Sequence, residues 1–230
     1  MNFDPLQIVF TLVPMILALT VHEFSHAFMA HKLGDDTALR AGRMTLNPIS
    51  HIDPIGTLLI PVVGTLYGVP FFGWAKPVPV TPINYTRKLK MATSDILVSA
   101  AGPVSNLLFA ILMAILLGFL GPAAMADIQA GSTGPMVAAV RLAGWTLLIN
   151  VGLFIFNLLP IPPLDGSHVL AGLLPPKHQS IVEFLSRYSF ILFMLLLVFG
   201  GQFIIHPILW VVDGLSSLVG FDLWWALVGR

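Results

Sequence analysis

The first apolar run of the chain is residues 5–33, PLQIVFTLVPMILALTVHEFSHAFMAHKL, and its pattern predicts one long helix. A helix needs about 20 mostly apolar residues to cross about 30 Å of hydrocarbon, so this run can span a membrane. Further apolar blocks cover 55–72, 96–120, 136–159 and 184–228. The last block is long enough for one or two helices, with a break expected near Gly200 or Pro207. The sequence therefore predicts an all-α polytopic membrane protein with about five to six transmembrane helices.

The composition excludes most other classes of protein. Of the 230 residues, 57% are apolar and only 10% are charged, whereas soluble domains have about 25% charged residues. Because 11 basic residues balance 11 acidic ones, a nucleic-acid partner is not expected, and the high apolar fraction excludes disorder. The chain has no cysteine, so a metal ion must be held by His, Asp or Glu. We expect residues 1–230 to form a single membrane-embedded domain that keeps its first helix.

The second apolar block differs from the others, because Gly and Pro interrupt residues 55–72 and β-forming residues such as Val62 and Val63 are frequent. Basic residues lie on both sides of this block, and basic loops stay on the cytoplasmic side. A segment that leaves on the side it enters fits this arrangement better than a full crossing. We therefore predict a re-entrant β hairpin over about 42–73, between the first and the next full helix. The amino terminus and the 122–135 connection are then outside, and the carboxyl terminus inside.

The first helix carries the pattern H-E-x-x-H at His22, Glu23 and His26. Residues four apart share one helix face, so both imidazoles can bind one metal ion, with Glu23 placed to act as a general base. A shuffled sequence of this composition would contain the pattern roughly 0.002 times. Ionisable groups inside a membrane helix are costly and indicate function, although an interfacial helix end with hydrogen-bonded side chains is the alternative.

A catalytic zinc ion takes three protein ligands, so a third one is needed. Asp165 follows the fourth apolar block, on the side of the membrane expected for His26, after a proline-rich stretch that keeps the chain out of a helix. The alternative for Asp165 is capping of the short helix that begins near Ser167. His168 is a second candidate ligand, and spacing alone leaves these possibilities open.

Two motifs together resemble the site-2 protease family of intramembrane zinc metalloproteases. They are His22-Glu23-x-x-His26 and Asn157-Leu-Leu-Pro-Ile-Pro-Pro-Leu-Asp165-Gly166. The resemblance implies that His22, His26 and Asp165 hold one Zn²⁺ and that Glu23 is the catalytic base. It also implies that Asn157 contacts the substrate or polarises the scissile carbonyl. The 42–73 stretch corresponds to a membrane-associated β hairpin of that family.

A third stretch, Ala101-Gly102-Pro103-Val104-Ser105-Asn106, resembles a further segment of the same family, which implies that Asn106 lies near the site. Asn106 or Asn157 can donate a hydrogen bond to an oxyanion, and interhelical hydrogen bonding is the alternative role for either. Unlike larger members of the family, the chain is expected to have no PDZ-like or CBS-like domain.

The resemblance implies hydrolysis of peptide bonds within or near transmembrane segments of membrane-protein substrates. We expect a multi-pass protein of a bacterial or archaeal cell membrane, with its active site near the cytoplasmic face. A substrate helix is expected to unwind and pair as a strand with the 55–72 hairpin. Two alternatives are a membrane metal transporter and a scaffold with a non-catalytic metal, and neither the substrate nor the oligomeric state follows from the sequence.

Overall fold

The computed structural model describes residues 5–67, 73–132 and 134–228, and the description below is restricted to them. The chain is helical throughout most of this part. The helices are α1 (Pro5–Lys32), α2 (Thr37–Arg40), α3 (Ile60–Tyr67), α4 (Met91–Gln129), α5 (Pro135–Asn157), α6 (Asp165–Leu173), α7 (Gln179–Arg187), α8 (Ser189–Phe199), α9 (Gly201–Val219) and α10 (Leu223–Val228). A π-helical segment, Pro54–Leu59, leads directly into α3.

Four described helices are long and apolar enough to cross a membrane, which makes the chain a multi-pass membrane protein. They are α1, α4, α5 and α9. A fifth crossing exists if α7 and α8, which meet at a bend of 66°, count as one broken span. The described residues therefore contain four or five candidate spans, and the predicted range of five to six is reached only if the bent pair crosses as one. The last block breaks at Gly200, as expected, but α8 has only 11 residues, which is too short to cross alone.

The β hairpin predicted over 42–73 is not found, since residues 54–67 are helical and the described part of this stretch contains no strand. The Asp53 side chain accepts the backbone N–H groups of Ile55 and Gly56, and Pro54 follows it at the first helical position, so the segment has a strong helix start. This start and packing against α1 outweigh the β-forming side chains, whose preference is weak. The predicted hairpin also includes 68–72, which lie outside the described residues.

The chain nevertheless returns beside its point of entry. The N–H of Trp74 donates to the carbonyl of Gly56 at 3.3 Å, and the N–H of Lys76 donates to the carbonyl of His51 at 2.9 Å. A side chain at Gly56 would overlap the Trp74 ring, so this contact requires glycine. The result is a helical limb, 54–67, followed by an extended limb over 73–80 that runs past the first helix.

The main core lies between α4, α5, α9 and α10. Phe221, Leu223 and Trp225 are buried there against Val137 and Val140 of α5. This cluster puts α10 at the end of the bundle that carries the 122–135 connection. The carboxyl terminus itself, which was expected on the opposite side from that connection, lies outside the described residues, and α10 is the last described element before it.

Large apolar side chains cover the outside of α8 and α9. Phe203 and Trp210 are each 79% exposed, and Leu218 is 83% exposed. A soluble protein would not leave such a surface in water, but hydrocarbon is an equally apolar solvent for it. These helices therefore present their outer faces to lipid.

Candidate metal centre

His22 and His26 lie one turn apart on α1, and their Nε2 atoms are 3.0 Å from each other. The Asp165 Oδ2 atom approaches from the first residue of α6, 3.2 Å from His22 Nε2 and 3.4 Å from His26 Nε2. Both histidines are buried, at 6% and 8% exposure. Three side chains that could hold a metal ion, from two distant parts of the sequence, thus meet at one point.

The orientation of each imidazole is fixed at its other nitrogen. His22 Nδ1 lies 2.7 Å from Asn106 Oδ1, and His26 Nδ1 lies 2.7 Å from the carbonyl oxygen of Val98. A carbonyl oxygen only accepts, so both Nδ1 atoms carry the proton and donate. In the neutral ring each Nε2 then has a lone pair directed at the other and at Asp165, which is the arrangement of metal-binding histidines.

These residues fit a zinc ion. Two Nε2 lone pairs and a carboxylate oxygen at these separations repel one another unless a cation lies between them, and a single proton satisfies only part of the set. Asp165 Oδ2 is a buried atom with no hydrogen-bond partner among the described residues. Zinc–ligand distances of about 2.0–2.1 Å in a tetrahedral site place the ligand atoms about 3.4 Å from one another. The three distances among His22 Nε2, His26 Nε2 and Asp165 Oδ2 are close to this value.

Gly102 allows α4 to pack directly against the imidazole rings of His22 and His26. A Cβ atom at this position would lie 2.7 Å from His22 Nε2 and would also overlap His26. Neither imidazole can move away from α4 without breaking its hydrogen bond at Nδ1, to Asn106 for His22 and to Val98 for His26. The space beside the two imidazoles therefore depends on a residue without a side chain.

The proline-rich segment before α6 delivers Asp165. The chain turns sharply after α5, and a Cβ at Gly166 would lie 2.6 Å from the carbonyl oxygen of Leu159, so glycine is required there as well. No side-chain hydrogen bond caps α6, so the capping role considered for Asp165 is not found. His168, the competing candidate ligand, lines the same cavity but is not part of the three-residue group.

Glu23 lies next to the two histidines and is 8% exposed. Its Oε2 accepts the backbone N–H of Val78 at 2.7 Å, which ties the extended limb over 73–80 to α1. Among the described residues, no hydrogen bond reaches the other carboxylate oxygen. Glu23 therefore has one oxygen held in place and one available for a proton.

The site opens into a cavity of about 1240 Å³. One wall is the extended limb, with Trp74, Ala75 and Val78, and another combines α5, α8 and α9. Apart from the metal-binding residues and Glu23, most of the lining is apolar.

Comparison with known proteins agrees with this chemistry. Residues 10–197 match the family described as peptidase family M50. The chain belongs to peptidase family M50, the site-2 proteases. A protein of Bacillus subtilis (strain 168) named "Putative zinc metalloprotease YwhC" is 40% identical over 209 residues, covering 90% of this chain and 89% of that relative.

Other relatives of this M50 peptidase are longer. The protein of Mycolicibacterium smegmatis named "Putative zinc metalloprotease Rip2" is 31% identical over 187 residues, which cover 80% of this chain and 64% of the relative. A Mycobacterium tuberculosis (strain H37Rv) protein of the same name is 30% identical, and the match covers 63% of its length. The chain therefore spans less than two thirds of these two relatives. No solved structure matches the chain.

The two asparagines expected at the M50 site have different surroundings. Asn106 is fully buried, and its amide oxygen and nitrogen contact His22, Ala18 and Asn150, which leaves no group free for a substrate. Asn157 is half-buried in the cavity wall, where its Nδ2 donates to the carbonyl of Leu153 at 3.0 Å. The geometry thus favours a positioning role for Asn106 and leaves Asn157 accessible from the cavity.

Sequence reasoning missed Asn150, which touches Asn106. The signal was present, because Thr146, Asn150 and Asn157 lie four and seven residues apart and so fall on one face of α5. Polar residues that share one face of an otherwise apolar membrane helix point to the bundle interior.

Proposed function

We propose that this M50 peptidase is an intramembrane zinc metalloprotease that hydrolyses peptide bonds within or near the transmembrane segments of membrane proteins. The supporting observation is the convergence of His22, His26 and Asp165 beside Glu23, inside a cavity bounded by membrane helices. This set provides three ligands for one Zn²⁺ and a separate carboxylate for acid–base chemistry, as a metallopeptidase requires.

A bound zinc ion supplies Lewis-acid activation of water and of the scissile carbonyl. Glu23 takes the proton from the attacking water at its free carboxylate oxygen and passes it to the leaving nitrogen. The Val78 N–H holds the other oxygen at 2.7 Å, so the carboxylate does not rotate away during this transfer. Asn157, accessible from the cavity, is the candidate donor to the substrate carbonyl.

The extended limb over 73–80 is the proposed docking edge for the substrate. The N–H groups of Trp74, Lys76 and Val78 point to one side and are bonded to Gly56, His51 and Glu23. Successive residues of an extended chain point to opposite sides, so the Ala75 backbone groups face the other way. Among the described residues, the Ala75 N–H donates no hydrogen bond and its carbonyl accepts none. An unwound substrate can pair there as a strand, which replaces the pairing with 55–72 expected from sequence.

The proposed site lies near the cytoplasmic face of a bacterial cell membrane. His22 and His26 lie in the carboxyl-terminal half of α1, Lys32 ends that helix, and Arg40 and Arg43 follow it. Basic residues mark the cytoplasmic side. The relatives described above come from bacteria.

A metal transporter and a non-catalytic scaffold remain the competing functions. A transporter needs successive ligand groups along a path through the membrane, whereas the described residues contain one such group. A scaffold has no use for a carboxylate beside the metal ligands. The three functions differ in what they require of Glu23.

The decisive test compares wild type with Glu23→Gln for zinc content and for cleavage of a panel of single-pass membrane proteins. We expect the variant to retain one zinc per chain and to lose cleavage by about 10²–10⁴-fold, the usual contribution of a general base. The matched control is Glu183→Gln, which changes the other glutamate of the chain, an exposed residue on α7. Equal cleavage by wild type and Glu23→Gln would contradict the proposal, as would zinc-free wild type that still cleaves.

A further inference from the structure

Asn150 is fully buried in the middle of α5, next to the residue that orients His22. Its Oδ1 accepts from Asn106 Nδ2 at 2.8 Å, and its own Nδ2 donates to the carbonyl oxygen of Thr146 at 2.8 Å. Asn106 Oδ1 in turn accepts from His22 Nδ1 at 2.7 Å. A continuous amide chain, Thr146–Asn150–Asn106–His22, therefore runs from the backbone of α5 to a metal ligand on α1.

The direction of every bond in this amide chain is determined by its first member. The Thr146 carbonyl only accepts, so the NH₂ group of Asn150 faces it and the Asn150 oxygen faces Asn106. Asn106 must then direct its NH₂ group at Asn150, which is also the orientation required by its 3.1 Å bond to the carbonyl of Ala18. Its oxygen is left for His22, whose Nδ1 must carry the proton and whose Nε2 is free to bind a metal.

We infer that Asn150 is a positioning residue for the metal centre, acting on His22 through Asn106. Without it, one N–H of the fully buried Asn106 amide has no acceptor, and only the 3.1 Å bond to Ala18 still opposes a rotation that would present an N–H instead of an oxygen to His22. Such a rotation favours the wrong tautomer and leaves a proton on the metal-binding nitrogen. The inference rests on the proposed zinc site and adds a residue that does not touch the metal.

Simple packing between α4 and α5 is the other explanation for a buried pair of amides in membrane helices. The two explanations differ in their effect on metal binding. A packing residue alters stability, and its effect on zinc affinity is independent of Asn106. A positioning residue alters zinc affinity, and its effect disappears once Asn106 has been removed.

The experiment measures Zn²⁺ affinity of the purified full-length chain by competition with a chelator, for wild type, Asn150→Leu, Asn106→Leu and the double variant. Partners of ligand histidines are worth 10–100-fold in metal affinity, so we expect about 10-fold weaker binding for Asn150→Leu and up to about 100-fold for Asn106→Leu. The double variant should bind no more weakly than Asn106→Leu. The absorption spectrum of bound Co²⁺ should change in each variant, because the ligand ring has moved.

The matched control is Thr20→Val, which removes a buried hydroxyl two residues from His22. Thr20 is 3% exposed, and among the described residues its hydroxyl bonds only to the carbonyl of Ile16 in its own helix. Zinc affinity and the Co²⁺ spectrum should therefore stay as in wild type. Asn150→Ala, which fits the same space without a branched side chain, repeats the measurement if Asn150→Leu does not fold.

Wild-type zinc affinity and an unchanged Co²⁺ spectrum in folded Asn150→Leu or Asn150→Ala would overturn the inference. The inference would also be overturned if the fold-losses of zinc affinity caused by Asn150→Leu and Asn106→Leu multiplied in the double variant. Because these measurements need no substrate, they are separate from the proposed function. A wild type that binds zinc but cleaves nothing would count against the protease and leave the inference about Asn150 intact.

Discussion

Gly102 is the residue on which the shape of the metal centre most directly depends. Its missing side chain leaves room for the imidazoles of His22 and His26, each of which is fixed by a 2.7 Å bond at Nδ1. We expect Gly102→Ala to weaken zinc binding by at least about 100-fold and to abolish cleavage, because the rings must leave their positions. Zinc content after purification and cleavage of a reconstituted substrate measure both effects.

Gly214→Ala is the control for that substitution. Gly214 lies in α9, another membrane helix, and a Cβ there meets nothing within 4 Å. This variant should retain zinc and cleave like wild type. Retention of zinc by Gly102→Ala would show that the two histidines tolerate displacement.

The choice between Asp165 and His168, which spacing left open, leads to a second prediction. Asp165 Oδ2 lies 3.2 Å from His22 Nε2, whereas His168 is exposed and one turn further along α6. Asp165→Ala should weaken zinc binding by at least about 100-fold, and His168→Ala by less than about twofold. Titration of both variants with Zn²⁺ in the presence of a chelator separates them. The opposite ranking would make His168 the third ligand.

At the scale of elements, Asp35 connects the end of α1 to the segment that follows the extended limb. It is completely buried and accepts the N–H of Thr81 at 2.6 Å, the Asn84 amide at 3.0 Å, and both the N–H and the hydroxyl of Thr37. Burial alone raises the pKa of this carboxyl, but the hydrogen bonds from Thr37, Thr81 and Asn84 outweigh burial and hold the pKa below its usual range.

A carboxyl with a lowered pKa stabilises the fold above its unfolded-state pKa, about 3.9, and the stabilisation is lost as the pH falls through the folded-state value. We therefore expect Asp35→Ala to lower Tm by about 5 °C at pH 7, with a smaller difference from wild type below about pH 4. Thermal unfolding in detergent at several pH values measures this.

Asp36→Ala is the matched control for Asp35. Asp36 pairs with His31 at 2.6 Å on the surface, where such pairs contribute little, so Tm should change by less than about 2 °C. Equal losses of stability from both aspartates would contradict the role given to Asp35.

The positions of the long membrane helices follow largely from the sequence, whereas the structure of residues 54–67 does not, for a physical reason. Hydropathy and length predict α1, α4 and α5 within a few residues, apart from an α4 longer at both ends, because backbone groups in lipid must be satisfied within the helix. The stretch 54–67 was wrongly predicted to be β because local propensity favoured strands. Capping by Asp53 and packing on α1 determine its structure, and only the first of these is visible in the sequence.

The grouping of the three proposed metal ligands was predictable only in part from local sequence. His22 and His26 share a helix face by periodicity alone, whereas Asp165 needed a resemblance to a known family, since no local rule relates positions so distant. Asn150 was missed because its role depends on which face of α5 meets α4. Such a contact between helices is a property of the assembled bundle.

At the scale of the whole molecule, the cavity predicts a preference among substrates. A peptide bond within a helix is protected by the helical hydrogen bonds, so pairing with the limb at 73–80 requires the substrate to unwind near the metal centre. Replacing two glycines near the cut by Ala or Leu should lower kcat/KM by about 10-fold or more, since each such change stabilises a helix by up to about 1 kcal/mol.

Cleavage of the two substrates by the same reconstituted enzyme measures this preference. The control places the same two substitutions at the far end of the substrate helix, where kcat/KM should not change. Equal cleavage of all three substrates would show that the enzyme does not select for unwinding.

The distance along the chain between the two halves of the metal centre has a consequence for biosynthesis. More than half of the polypeptide separates His26 from Asp165. A nascent chain with only its first spans inserted in the bilayer lacks the carboxylate and cannot yet bind the ion as the finished protein does. Under the proposed function, we therefore expect proteolytic competence to be acquired late, after α5 has been inserted, and an incompletely synthesised copy not to cleave neighbouring membrane proteins.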